Sequence, residues 1–66
     1  MIVTVNGTER EFADGATVAD VLAALAVPGS GIAVALDGEV VPRAAHGSTA
    51  VPAGAALEVL TAVQGG

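Results

Sequence analysis

Ile2-Val3-Thr4-Val5-Asn6-Gly7-Thr8-Glu9-Arg10-Glu11-Phe12 is the stretch that decides the fold. Asn-Gly between two strand-like segments is the strongest short-range hairpin signal, because both central residues of a type I′ turn need positive φ. Strands over Ile2–Val5 and Thr8–Phe12 are therefore expected, joined by Asn6-Gly7. Asp14-Gly15 ends the hairpin, and Thr17 followed by Asp20 has the spacing of a cap at a helix start, where an acidic first turn also suits the dipole. The helix should begin at Val18. Val18, Val21, Leu22 and Leu25 then fall on one stripe, and Pro28-Gly29 stops the pattern.

Further along, Ile32–Leu36 and Glu39–Val41 flank Asp37-Gly38, a second hairpin signal. Pro42 ends that ladder because it has no N–H to donate. From Arg43 to Gly54 the chain is rich in Ala, Gly, Ser and Pro, as an irregular connection would be, with room for a short turn or strand piece around Thr49–Val51. The last strand-like run, Leu57–Val63, alternates: Leu57, Val59, Thr61 and Val63 point one way, Glu58, Leu60 and Ala62 the other. Glu58 marks the outer face.

This order predicts an α+β domain, with one helix laid across one face of a mixed sheet of four to five strands. Residues 1–63 form the domain and 64–66 a tail. If the first strand pairs with the last, Val3 and Val5 join Leu57 and Val59 beneath the helix, leaving Ile2, Thr4, Leu60 and Ala62 outside. An uncovered apolar face of that kind marks a docking surface.

Composition narrows the chemistry. A chain of 66 residues is one domain, and with 53% hydrophobic residues but Phe12 as its sole aromatic, its core must be built from small and branched aliphatics. The absence of cysteine removes disulfides, thiolate metal sites and a cysteine nucleophile, and a cytoplasmic location is expected. No apolar run approaches the roughly 20 residues that span a bilayer, so no membrane association is expected. Seven acidic residues against Arg10 and Arg43 give a formal net charge of −5, which disfavours nucleic acid and suits a protein partner with a basic face. There is no lysine, hence no side-chain amine on which an isopeptide bond could form.

Catalytic constellations are nearly absent. His46, the lone histidine, is expected to be a solvated loop residue. Ser30 and Ser48 have no other base, and Gly29-Ser30-Gly31 lacks the Lys-Ser or Lys-Thr of a phosphate loop. The carboxylates are spread over turns and faces. No catalytic residue, metal or bound cofactor is expected, and the chain reads as a substrate for chemistry done elsewhere. Its distinctive group is the Gly66 carboxylate behind Gly65, a slender end that fits a narrow active site. Such a carboxylate is ionised at neutral pH and can attack the α-phosphate of ATP, and a sulfur nucleophile can then displace AMP to leave a thiocarboxylate.

The whole chain resembles the thiamine-biosynthesis sulfur-carrier proteins, small β-grasp (ubiquitin-like) proteins that end in Gly-Gly. VTVNG (Val3–Gly7), GATVADVLAAL (Gly15–Leu25), GIAVALDGEVVPR (Gly31–Arg43) and LEVLTAVQGG (Leu57–Gly66) carry the resemblance. It departs at Asp37, where the family commonly has Asn, at Ala45-His46, where an aromatic is usual, and at Ala55, where an acidic residue is usual. The resemblance implies that Gly66 is adenylated with ATP by a ubiquitin-activating-type adenylyltransferase and converted to a thiocarboxylate. Sulfur would come from a donor such as a cysteine desulfurase and pass to thiazole synthase, with the carrier a monomer between partners. Gly65 keeps the tail slender, and Leu60, Ala62, Ile2 and Arg43 are candidate docking residues. Sulfur carriage for molybdopterin or cysteine synthesis, or a ubiquitin-like modifier or interaction module, are the other readings of this fold and ending.

Overall fold

The structure, a computed structural model, describes residues 1–27 and 31–61. Strands β1 (Ile2–Val5) and β2 (Thr8–Glu11) form the first hairpin, followed by helix α1 (Val18–Ala24), strands β3 (Ile32–Leu36) and β4 (Glu39–Val41), a 3-10 turn at Arg43–Ala45, and β5 (Ala56–Thr61). The sheet has five strands in the order β2-β1-β5-β3-β4, with β1 and β5 parallel and the other neighbours antiparallel. The β-grasp expectation is met at its upper count of strands. Ala62 and Val63, expected to extend the last strand, lie outside the described residues, as does the tail at 64–66.

Both predicted I′ turns form. Asn6 and Gly7 have φ of 49° and 82°, Asp37 and Gly38 of 49° and 85°. Those turns fix the hairpin registers, Val5 opposite Thr8 and Leu36 opposite Glu39.

The helix starts where its cap predicts. Thr17 accepts from the Asp20 amide at 3.2 Å while the Asp20 carboxylate accepts from the Thr17 amide at 2.9 Å, a reciprocal capping box. The next orphan donors are met by the Arg43–Gly54 connection: the Val18 amide donates to the Thr49 carbonyl and the Ala19 amide to the His46 carbonyl. Around the anticipated strand piece, Thr17 and Ala50 form an isolated antiparallel bridge. The connection is thus strapped to the helix start.

At its other end the helix stops before Pro28 is reached. Ala26 takes φ of 56°, its amide donates to Ala23 and the Val27 amide to Leu22. That pair of bonds is a Schellman closure with alanine in the left-handed position that glycine usually fills. Val18, Val21 and Leu22 are buried against Val3, Val5, Val34, Val41, Leu57 and Val59 of the sheet, with Val51 and Ala55 closing the side. Leu25, the fourth member of the stripe, is half-buried. Ala55 is 3% exposed, so a small apolar group suits this chain's core.

Candidate functional site

Cross-strand pairs place the uncovered face residue by residue. On β1 and β2, Ile2 faces Glu11 and Thr4 faces Glu9. On β3, β4 and β5, Ala35 lies between Glu58 and Val40, and Ala33 lies opposite Leu60. Paired residues point to the same side, and Val3, Val5, Val34, Leu57 and Val59 occupy the other. Over the described residues the predicted inside–outside alternation of β1 and β5 holds; Ala62 and Val63 lie outside them.

Position along the sheet separates residues that share this face. The Gly54 amide donates to the Ile2 carbonyl, so Ile2 sits level with residue 54, six residues before Leu60. At about 3.3 Å per residue the two lie roughly 20 Å apart along the strands. Leu60 instead groups with Ala33, Ala35 and Val40 around Glu58. Val40 and Leu60 are 73% and 66% exposed, the most open of the large apolar side chains among the described residues. Arg43 is exposed in the 3-10 turn beyond β4. Ala62, Gly65 and Gly66 lie outside the described residues. Val40 was legible: a two-residue turn at Asp37-Gly38 dictates that residue 40 faces residue 35.

Every charged side chain on this face is a carboxylate: Glu9, Glu11 and Glu58. Arg10 pairs across from Val3, on the helix side. Among the described residues the single ion pair joins the Met1 ammonium to Asp14 at 3.5 Å, so the outer-face carboxylates have no cation.

His46 differs from expectation. It is buried, 7% exposed, and its Nε2 lies 3.2 Å from the Val41 carbonyl. A carbonyl can only accept, so Nε2 carries the proton. The reason is local: the 3-10 turn folds the ring back under β4 while the His46 carbonyl caps the helix. Ser48 donates to the Ala45 carbonyl at 3.3 Å, and Ser30 lies outside the described residues. His46 and Ser48 therefore engage main-chain carbonyls rather than each other. Among the described residues no group of three or more His, Asp or Glu could hold a metal, and no helix is long and apolar enough to cross a membrane.

Comparison with known proteins resolves the family. Residues 3–66 match the ThiS family. The chain belongs to the ThiS family. The crystal structure of a thiamine biosynthesis protein (ThiS) from Geobacter metallireducens is 38% identical, with 100% of both chains covered and a TM-score of 0.85. A solution NMR structure of a thiamine biosynthesis protein from the same organism is also 38% identical, covering 100% of this chain and 88% of that one, with a TM-score of 0.82. No curated protein matches the chain. This ThiS-family chain has the ubiquitin-like β-grasp fold.

Proposed function

We propose that this protein is a sulfur carrier for thiamine biosynthesis, a protein co-substrate acted on by partner enzymes, with Gly66 as its reactive terminus. The single observation carrying the reading is the ThiS-family match, which runs through Gly65-Gly66. The fold adds support: β5, at the centre of the sheet, is the strand from which the chain continues to that terminus.

In the proposed reaction a Gly66 carboxylate oxygen attacks the α-phosphate of ATP within an adenylyltransferase, and pyrophosphate leaves. The outer sulfur of a donor persulfide then attacks the acyl carbon and AMP departs with the bridging oxygen; a thiol cleaves the resulting acyl disulfide, forming a disulfide with the donor sulfur and releasing a thiocarboxylate that supplies sulfur to thiazole synthase. Gly65 contributes by lacking a side chain in the channel through which the end must pass. The body contributes recognition, through Leu60 and the residues grouped with it, in the cytoplasm where ATP and the partner enzymes are found.

Intact-mass spectrometry tests this. The chain incubated with ATP, the adenylyltransferase from the same genome and a sulfur donor should gain the mass of one oxygen-to-sulfur exchange, confined to the C-terminal fragment. Deleting Gly66 should abolish the shift. No shift in the full chain under these conditions refutes the reading.

A further inference from the structure

Asn6-Gly7 is a reactive dipeptide as well as a turn. Glycine has no side chain to shield its backbone nitrogen, and Asn6, the sole asparagine of the chain, carries an amide carbon that can close a five-membered ring onto that nitrogen. Both residues are exposed, and a methyl group in place of a Gly7 hydrogen would meet nothing within 4 Å among the described residues. Water and base therefore reach the bond. What stands against reaction is the placement of the Asn6 side chain.

Ring closure requires the Asn6 Cγ to swing over the Gly7 nitrogen. Instead the amide is turned across to β5, where Nδ2 donates to the Val59 carbonyl at 3.0 Å and Oδ1 accepts from the Val59 amide at 2.8 Å. The positive φ of both turn residues, 49° and 82°, keeps the hairpin closed around that arrangement. Both hydrogen bonds must break before Cγ can leave Val59, so reaction is confined to molecules in which this part of β5 has let go.

We propose that Asn6-Gly7 is a self-modification site, held latent by the Asn6–Val59 hydrogen bonds and converted to aspartate or isoaspartate at position 6 when β5 opens. Base removes the Gly7 amide proton, the nitrogen attacks the Asn6 Cγ, and the Cγ–Nδ2 bond breaks with release of ammonia. Water then opens the succinimide. Cleavage between the nitrogen and Cγ leaves aspartate, and cleavage between the nitrogen and the main-chain carbonyl carbon of residue 6 leaves isoaspartate. The sum is water consumed and ammonia released, with no oxidation or reduction. Neither product has a side-chain donor for the Val59 carbonyl, and isoaspartate also adds a methylene to the main chain of the turn. Each opening that ends in reaction thus leaves the strand leading towards Gly66 less firmly held, whatever chemistry Gly66 undergoes.

The experiment holds the full chain in mildly alkaline buffer, native and unfolded in urea, and follows the mass of the tryptic fragment ending at Arg10, with isoaspartate read by enzymatic methyl transfer. Gln64, the other side-chain amide, lies beyond Arg43 in a separate fragment, so exchange of amide nitrogen for oxygen in the first fragment reports Asn6 alone. The native chain should convert at least about tenfold more slowly than the unfolded one, since two hydrogen bonds must first be given up. Below the unfolding transition, added urea should speed conversion and exchange of the Val59 amide in step, because both need the same opening. Refolded product, separated by its added negative charge, should show a lower thermal midpoint and faster Val59 amide exchange than unreacted chain.

An unfolded chain that keeps its amide overturns the site itself. Native conversion as fast as in urea overturns the latency, as does conversion whose urea dependence departs from that of Val59 exchange. Product that matches unreacted chain in midpoint and in Val59 exchange overturns the coupling to β5.

Discussion

Asn6 holds Val59 by both of its main-chain groups: its Nδ2 donates to the Val59 carbonyl at 3.0 Å and its Oδ1 accepts from the Val59 amide at 2.8 Å. The side-chain amide thereby continues the β1–β5 ladder past the point where β1 turns away. On the opposite side of β5, Asp37 plays a related part. Its Oδ1 accepts from the Ala56 amide at 2.8 Å, while its own amide donates to the Ala56 carbonyl at 2.8 Å. Two I′ turns thus grip the strand that leads to the terminus, one at each end.

The two grips differ in what they demand. At position 6 the side chain must both donate and accept, whereas at position 37 it need only accept. Asn6→Asp should therefore destabilise the fold by about 1–3 kcal/mol, since it removes a donor and aims a carboxylate at the Val59 carbonyl. Asp37→Asn should stay within about 0.5 kcal/mol of wild type, because an amide oxygen accepts from the Ala56 amide as the carboxylate does. Urea titration at neutral pH reads both. Equal losses at the two positions would refute the donor argument.

Ala26 sits at φ of 56° in the helix closure, a conformation that costs a side-chain-bearing residue about 1–2 kcal/mol relative to glycine. Glycine would relieve that strain, offset in part by its greater freedom in the unfolded chain. Ala26→Gly should raise stability by about 0.5–1 kcal/mol, visible as a higher thermal midpoint. A fall would show that the alanine methyl is worth more than the strain.

His46 is the lone buried polar residue among those described. Its truncation to alanine leaves the Val41 carbonyl without its side-chain donor and opens space beneath the 3-10 turn. The loss should be about 2–3 kcal/mol, well above the cost of substituting an exposed loop residue. Because the Val41 carbonyl and the His46 backbone belong to β4 and the helix cap, amide exchange of Ala19 and of the β4 hairpin should accelerate together. A change below about 0.5 kcal/mol would mean the ring is incidental.

What was legible in the sequence was local. Asn6-Gly7 and Asp37-Gly38 fix their turns within two residues, Thr17 and Asp20 close the capping box within three, and the alternation of β5 sorts Leu57 from Glu58 without knowledge of its neighbours. What escaped depends on contacts distant in sequence or on backbone choices with no strong local marker. His46 looked solvated because nothing beside it in sequence is apolar enough to bury it; its partner is the carbonyl of Val41, reached through the 3-10 turn. The helix end was drawn towards Pro28-Gly29, although an unremarkable alanine makes the left-handed turn first. Ile2 and Leu60 were rightly placed on one face, but parity says nothing about level. Their separation follows from the β1–β5 register, Thr4 opposite Ala56, which joins residues from opposite ends of the chain.

That separation makes recognition through Leu60 testable by geometry. Ile2 and Leu60 are both exposed aliphatics on the outer face, so Ile2→Glu and Leu60→Glu are chemically similar insults with little expected cost to stability. A partner centred on Leu60 leaves Ile2, roughly 20 Å away along the strands, at or beyond its polar rim. Leu60→Glu should therefore weaken affinity for the adenylating enzyme by about tenfold or more, as a buried contact at the centre of an interface does, while Ile2→Glu changes it by less than about threefold. Affinity is measured by calorimetry on variants whose thermal midpoints match the wild type. If Ile2→Glu proves as damaging as Leu60→Glu, the interface extends across β1 and its centre does not lie at Leu60.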